Sequence, residues 1–288
     1  MAELLYGKPA ADALTAETRR RADMLRDKGV MPKLVILRCG ENEADGAYIR
    51  GAMKRGGLCG VDVELRTLAE NVSADGLARA LEAVNSDNGI HGCLLLRPLP
   101  GHLKAMESKL CALLDPKKDV DGMTPVSAAG VFTGSGQGFP PCTAQACMAL
   151  LDYYHIDSAG KSATVVGRSA VVGRPAAMLL LARNATVTVC HTGTRDVAAV
   201  TREADIIITA AGAAGSLTAA HVRPGQVVVD VSTNWNGVSL CGDAVFDDVS
   251  QIVEAITPVP GGVGAVTSAV LMAHTVRAAE KLTGEGGL

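Results

Sequence analysis

With 288 residues, 48% of them hydrophobic and 20% charged, the chain is long enough for two ordinary domains and has the balance of a globular protein with ample core. A net charge of −3 leaves no electrostatic footprint for nucleic acid or a membrane surface, and 3% aromatic residues argue against base-stacking platforms. No stretch is apolar for long enough to span a bilayer, and the opening MAELLYGKPA has neither the basic start nor the apolar run of an export signal.

In chain order, 8–28 is an amphipathic, Ala/Leu/Arg-rich helix, 33–37 a strand and 40–42 a turn. Residues 44–59 are helical in composition, with Gly60 placed to cap them, and 61–68 alternate as a strand. A helix over 73–85 starts on Ser73 and Asp75, and 92–96 is a buried strand running into Arg97-Pro98-Leu99-Pro100. The Gly/Pro-rich segment 134–141 reads as a hinge, and a helix begins at Pro141-Cys142-Thr143. Eight cysteines (39, 59, 93, 111, 142, 147, 190 and 241) form no Cys-x-x-Cys pair. They read as buried reduced thiols, which together with the opening predicts a cytoplasmic protein with no metal site.

The most informative stretch is ATVVGRSAVVGRPAAMLLLARNATVTVCHT, from Ala163 to Thr192. Thr164-Val165-Val166 is a β-branched strand, 167–173 a loop, Pro175 suits a first helical turn, 176–183 forms helix well, and Asn184 can close it before Thr186-Val187-Thr188-Val189. Strand, glycine loop, helix, strand in about thirty residues is a βαβ unit. The loop departs from Gly-x-Gly-x-x-Gly, since Ser169 holds the place of the second glycine. Gly167 permits the tight turn, Gly173 close helix–sheet packing, and the helix N-terminus, with free N–H groups and a positive end, suits a pyrophosphate. The alternative is a plain buried turn without a ligand. An NAD site carries Asp or Glu at the tip of the second strand, about 20 residues on, for the ribose 2′-OH. Here Cys190-His191-Thr192-Gly193-Thr194-Arg195 occupies that tip. Arg168, His191, Thr192 and Arg195 are donors suited to a 2′-phosphate, so NADP is favoured over NAD, the alternative being that the two arginines are merely solvated. Further strands near 205–209 and 226–231 repeat the pattern. The fold class is therefore α/β: two parallel-sheet domains with a cleft between them, the second a Rossmann-type NADP domain.

Five motifs carry a resemblance that runs through nearly the whole chain. They are Lys118-Asp119-Val120-Asp121-Gly122, Pro141-Cys142-Thr143, Gly167-Arg168-Ser169-x-x-Val172-Gly173-Arg174-Pro175, Gly242-Asp243-Ala244-Val245-Phe246 and Ile256-Thr257-Pro258-Val259-Pro260-Gly261-Gly262-Val263-Gly264. With them the chain resembles the bifunctional methylenetetrahydrofolate dehydrogenase/methenyltetrahydrofolate cyclohydrolase family. The resemblance implies a homodimer acting on tetrahydrofolate substrates. It implies a folate-binding catalytic domain over 1–140, completed by a C-terminal helix over 265–288, and an NADP-binding domain over 141–264. In the family's pattern a hydride passes from 5,10-methylenetetrahydrofolate to NADP⁺, and water then converts the 5,10-methenyl product to 10-formyltetrahydrofolate. Tyr48 matches the Tyr of a Tyr-x-x-x-Lys helix, and Asp121 matches the Asp that grips the pterin. The loop with Pro258, Pro260, Gly261 and Gly262 matches a lid over the pterin. Gly167, Arg168, Ser169, Val172, Gly173, Arg174 and Pro175 match the coenzyme loop.

Among the departures from the pattern, three concern the expected catalytic group. The family's central Lys is Ala52, the Gln that tunes it is Leu96, and a Ser before the Tyr is Asp45. Position 52 lies about 40° round a helix from Tyr48, whereas Lys54 lies about 120° to the other side. Arg50 also faces away, and Arg55 is near the Tyr48 face but almost two turns along. Hydride transfer needs positioning but no proton acceptor, because its product is a delocalised cation. Hydrolysis of that cation needs water attack and proton removal, which a tuned base assists. The expectation is a dehydrogenase whose cyclohydrolase activity is weak or gone. The alternatives are a bifunctional enzyme rerouted through Asp45, Arg55 or a positioned water, a non-catalytic folate or NADP binder, and a two-domain dehydrogenase of the shikimate or amino-acid type.

Overall fold

The computed structural model describes residues 1–284, so the last four positions of the expected 265–288 segment lie outside the described residues. In chain order the elements are β1 (Glu3–Leu4), α1 (Gly7–Asp27), β2 (Lys33–Cys39), α2 (Glu43–Cys59), β3 (Asp62–Leu68), α3 (Ala74–Ser86), β4 (Gly92–Leu95), α4 (Glu107–Cys111), α5 (Pro125–Thr133) and α6 (Cys142–Tyr153). They continue with β5 (Ser162–Val166), α7 (Gly173–Ala182), β6 (Thr186–Cys190), α8 (Val197–Arg202), β7 (Ile206–Thr209), β8 (Val227–Asp230), β9 (Asn234–Trp235), β10 (Leu240–Cys241), α9 (Phe246–Val249), β11 (Ala255–Ile256) and α10 (Gly264–Leu282). The chain divides into two compact units, one of Asp12–Cys142 with the residues from Ser268 onward, the other of Met1–Ala11 with Thr143–Thr267. Among the described residues no helix is long and apolar enough to cross a membrane.

The first unit holds a parallel sheet in the order β3-β2-β4, with Leu34 opposite Val63 and Ile36 opposite Leu94. Strand β4 is buried along its length, which is why its sequence reads as an unbroken apolar run. Val35, Leu37 and Leu95 pack with Leu77, Leu81 and Val84 of α3. Ser73 starts that helix by accepting from the Gly76 N–H at 3.1 Å. The end of segment 134–141, read from sequence as a hinge, packs onto α5, and the division between the two units falls just after it, between Cys142 and Thr143. Phe139 is 1% exposed and its N–H donates to the Ser127 hydroxyl at 3.4 Å.

The second unit holds a six-stranded sheet in the order β1-β11-β8-β7-β5-β6, its pairings all parallel. From β5 the chain goes to β6 on one side and then to β7 on the other. The carboxyl end of β5 is thus a topological switch point, where open α/β sheets bind ligands. Residues 1–11, expected with the first domain, belong here instead. Glu3 pairs with Ala255 and Leu4 with Ile256, and the Leu5 N–H donates to the Ile256 carbonyl at 2.9 Å, so β1 satisfies the otherwise open edge of β11. The last helix begins at Gly264, one residue before the expected 265, and the Ala265 and Val266 N–H groups donate to the carbonyls of Gly262 and Val263.

Candidate active site

In the first unit the Lys118–Gly122 motif separates into structural and exposed roles. The Lys118 ammonium donates to the carbonyls of Val84, Asn85 and Asp87 at 2.8, 2.9 and 2.7 Å, closing the negative end of α3. Asp119 is fully buried and accepts from the N–H groups of Met123 and Thr124 and the hydroxyl of Ser127, at 2.9, 2.8 and 2.6 Å. Gly122 has φ +67°, and a Cβ there would stand 2.5 Å from the Phe139 carbonyl oxygen, so the turn requires glycine. Asp121 is the carboxylate left to face outward, its side chain 22% exposed.

Three side chains from other segments stand beside Asp121 among the described residues. The Arg97 guanidinium lies 3.9 Å away, in the segment after β4. Cys142, at the start of α6, sets its backbone and its thiol against the carboxylate. Tyr48, on α2, is close enough to Asp121 and Cys142 for their charges to act on its phenol. Burial pushes the Asp121 carboxyl up to about 6, opposed by Arg97 and by the donors of Cys142. Burial also pushes the Tyr48 phenol well above its ordinary value, with Cys142 and Asp121 adding to the effect, although the residue as a whole is 36% exposed. Beneath them His274 of α10 has Nδ1 2.9 Å from the Val120 carbonyl, which can only accept, so Nδ1 carries the proton. Burial holds this ring down to about 4, hence neutral. The Cys142 thiol shares the same carbonyl at 3.3 Å.

Ala52 is fully buried and Leu96 half-buried. Lys54 and Arg50 are exposed, and Arg55 is engaged by Thr15 at 2.8 Å and Asp12 at 3.6 Å on α1. The structure thus brings Tyr48 and Asp121 together and adds Arg97, Cys142 and His274, which sequence reasoning did not assign. The available signal for Arg97 was its place before Pro98-Leu99-Pro100, where the family pattern has Leu.

In the second unit Gly167 and Gly173 are explained by contact. Gly167 has φ +128°, and a Cβ on it would stand 2.3 Å from the Ala210 carbonyl oxygen; one on Gly173 would stand 2.2 Å from the Gly167 carbonyl oxygen. Ser169 does what the sequence did not foresee. Its hydroxyl accepts from the N–H groups of Val172 and Gly173 at 3.1 and 3.3 Å, and its carbonyl accepts from Arg174 at 3.0 Å. The N-terminus of α7 is therefore capped from within its own loop rather than left with free N–H groups there. Pro175 is buried in the first turn, while Arg168, Ser169 and Arg174 are exposed and Val172 is half-buried. At the tip of β6 the Thr194 hydroxyl accepts from the His191 N–H at 3.0 Å, and the His191 Nδ1 accepts from the Gly193 N–H at 3.0 Å. This turn leaves Thr192 and Arg195 exposed. Among the described residues none of Arg168, Arg174 and Arg195 stands in an ion pair. A tight glycine turn at the switch point with unpaired arginines about it fits a phosphorylated dinucleotide.

The Gly242-Asp243 motif shapes the adjoining loop. One Asp243 oxygen accepts from the Thr209 and Ser232 hydroxyls at 2.9 and 2.8 Å and from the N–H groups of Ala211 and Gly212 at 2.7 and 3.3 Å. The other accepts from the Ala213 N–H at 2.8 Å and the Asn234 amide at 3.1 Å. Buried Asp230 lies against Gly242 and is pushed up to about 6 by burial. Segment 258–264 also lies in this unit. It is pinned by the Gly7 N–H, which donates to the Gly261 carbonyl at 2.8 Å, and Gly7 itself leaves no room for a Cβ beside the Gly262 carbonyl. Pro260 and Gly261 are exposed, Pro258 is half-buried and Gly262 is buried.

Comparison with known proteins matches residues 5–121 to the tetrahydrofolate dehydrogenase/cyclohydrolase catalytic domain, and residues 141–283 to the NAD(P)-binding domain of the same family. The bifunctional protein FolD of Carboxydothermus hydrogenoformans is 47% identical over 99% of both chains, and that of Clostridioides difficile 42% identical over 96% of both. Among solved structures, FolD methylenetetrahydrofolate dehydrogenase/cyclohydrolase of Campylobacter jejuni superposes with a TM-score of 0.93 at 37% identity, covering 98% of this chain and 99% of that one. The Trypanosoma brucei FolD, complexed with NADP and an inhibitor, gives a TM-score of 0.89 at 32% identity over 97% and 98% of the two chains.

Proposed function

Because the chain belongs to the tetrahydrofolate dehydrogenase/cyclohydrolase family, we propose that it oxidises 5,10-methylenetetrahydrofolate with NADP and hydrolyses the 5,10-methenyl product weakly or not at all. The observation that carries the second half is position 52. Ala52 is fully buried, Leu96 stands where its partner would be, Lys54 and Arg50 are exposed, and Arg55 is tied to Thr15. Among these candidates none offers an amine to the Asp121 site. Arg97 does stand there, but a guanidinium cannot take a proton at neutral pH. It supplies charge and no base.

In this reading Asp121 accepts hydrogen bonds from the donor edge of the pterin, and Tyr48 lies along the ring. Pro258, Pro260, Gly261 and Gly262 add backbone and ring contacts to the folate. Gly167, Ser169, Val172, Gly173 and Pro175 form the loop that would hold the coenzyme pyrophosphate, with Arg168 and Arg174 beside it. His191, Thr192 and Arg195 would hold the 2′-phosphate. NADP supplies the hydride acceptor when bound. The residues then need only orient the methylene carbon, since the cation formed is stabilised by its own delocalisation. Hydrolysis asks for general-base help worth about 10²–10⁴-fold, and the amine expected to give it is absent at Ala52, while Asp121 is taken up by the pterin. A cytoplasmic homodimer is part of the same reading.

The test uses purified protein with NADP and methylenetetrahydrofolate, following methenyl absorbance. Formation of methenyl product that then decays no faster than in buffer supports the proposal. Decay well above the buffer rate near neutral pH overturns the loss of hydrolysis. Absence of any NADP-dependent absorbance change overturns the dehydrogenase.

A further inference from the structure

Asp121 is a carboxylate that the fold withdraws in large part from water, its side chain 22% exposed, and its charge is sustained by what stands beside it. Four groups face it. Tyr48 from α2 is a neutral phenol, Cys142 from α6 a neutral thiol with a backbone N–H, and Asp119 from its own segment a like charge. Arg97, from the segment after β4, is the cation among them, its guanidinium 3.9 Å from the carboxylate and its side chain 25% exposed.

We propose that Arg97 is a positioning residue for the folate, its guanidinium holding the Asp121 carboxylate in the charged, outward-facing form that accepts hydrogen bonds from the pterin. It supplies to the site a positive charge that positions 52 and 96 do not. The inference rests on Asp121 being the pterin acceptor. The separation of 3.9 Å is longer than a hydrogen-bonded fork, so the pair acts through charge and leaves the carboxylate lone pairs for a ligand. A pterin presents an amino group and a ring N–H side by side on one edge. Both are donors, and an ionised carboxylate accepts both, whereas a protonated one offers a donor where an acceptor is needed. The paired charges also leave little net positive charge near the substrate, whose oxidised form is itself a cation.

The test compares the wild type with R97M, which keeps the apolar stem, and with R97K, which keeps the charge. Aspartate carboxyl titrations are followed by 13C NMR without ligand, the Asp121 signal being assigned by its loss in D121N. R97M should raise the Asp121 midpoint by about 1–2 pH units, while R97K stays near the wild type. In steady-state assays R97M should raise KM for methylenetetrahydrofolate about two- to tenfold at pH 7, as the ionised fraction of Asp121 falls, with KM for NADP unchanged, and the defect should shrink by pH 8.5 as Asp121 ionises. A merely structural role predicts a defect that pH does not repair. An unmoved Asp121 midpoint in R97M overturns the inference whatever the substrate is. A moved midpoint with an unchanged folate KM also overturns it, while leaving the dehydrogenase reading intact. A wild type that does not turn over methylenetetrahydrofolate overturns that reading and this inference with it.

Discussion

Asp243→Asn is the substitution whose cost the structure defines most closely. The side chain is fully buried, and every partner around it is a donor: three backbone N–H groups, two hydroxyls and one amide. An asparagine has the same shape but must place its NH₂ against some of them. The Thr209 and Ser232 hydroxyls can rotate to accept, and the Asn234 amide can flip, but backbone N–H groups cannot. The better orientation therefore turns NH₂ towards Ala213, leaving that N–H unsatisfied and removing one charge-assisted bond. The other orientation strands the Ala211 N–H and sets NH₂ against Gly212, whose N–H keeps only the Ser232 hydroxyl at 3.1 Å. An unsatisfied buried donor costs about 1–3 kcal/mol, and loss of the charge weakens the remaining bonds, so a total of about 3 kcal/mol is expected. Urea denaturation followed by fluorescence suits the measurement, because the single tryptophan, Trp235, lies in the same unit beside Asn234. The expected result is a lower midpoint at constant slope, with KM for NADP raised and KM for folate unchanged. A D243N protein within about 0.5 kcal/mol of the wild type would refute the claim that donor satisfaction at this carboxylate shapes the loop.

Gly173→Ala places a Cβ 2.2 Å from the Gly167 carbonyl oxygen, which is backbone and cannot swing aside. Coenzyme titration should show at least a tenfold loss of NADP affinity. The His274 ring is held neutral, its value lowered from 6.5 to about 4 by burial. The unfolded chain therefore takes up the proton first as pH falls, and stability is lost between pH 6.5 and about 4, by about 3 kcal/mol in the limit. The advantage of the wild type over H274Q in urea midpoint should narrow across that window, and a constant gap would show that the ring is not buried neutral. Ala52→Lys alone buries an ammonium without its tuning partner, and thermal unfolding should show it destabilised. A52K/L96Q should recover part of that loss and raise methenyl hydrolysis by about 10²-fold. Hydrolysis still at the buffer rate would show that the missing amine is not what limits it.

Much of the site was legible because its physics is local. Gly167 and Gly173 announce a turn that only glycine fits, Ser73 a helix start, Gly60 and Asn184 helix ends; the last two indeed have φ of +73° and +62°. The vacancy at positions 52 and 96 needed only the family spacing from Tyr48. What was illegible is long-range. Nothing in Glu3-Leu4 says that two residues will close the edge of a sheet whose other member is at 255–256. Ser169 looked like a lost glycine, and only the folded loop shows its oxygen turned back onto two N–H groups.

By itself the sequence determined the alternation of strands and helices, the two parallel sheets and the lack of a titratable amine on the Tyr48 helix face, since each follows from residue type at a fixed spacing. Only the tertiary structure decided that Lys118 and Asp119 are spent on the fold while Asp121 stays partly exposed, and that Arg97 stands against it. Which partner a charge finds depends on what distant segments bring within about 4 Å, and Coulomb energy is set by that distance and by the water excluded around it.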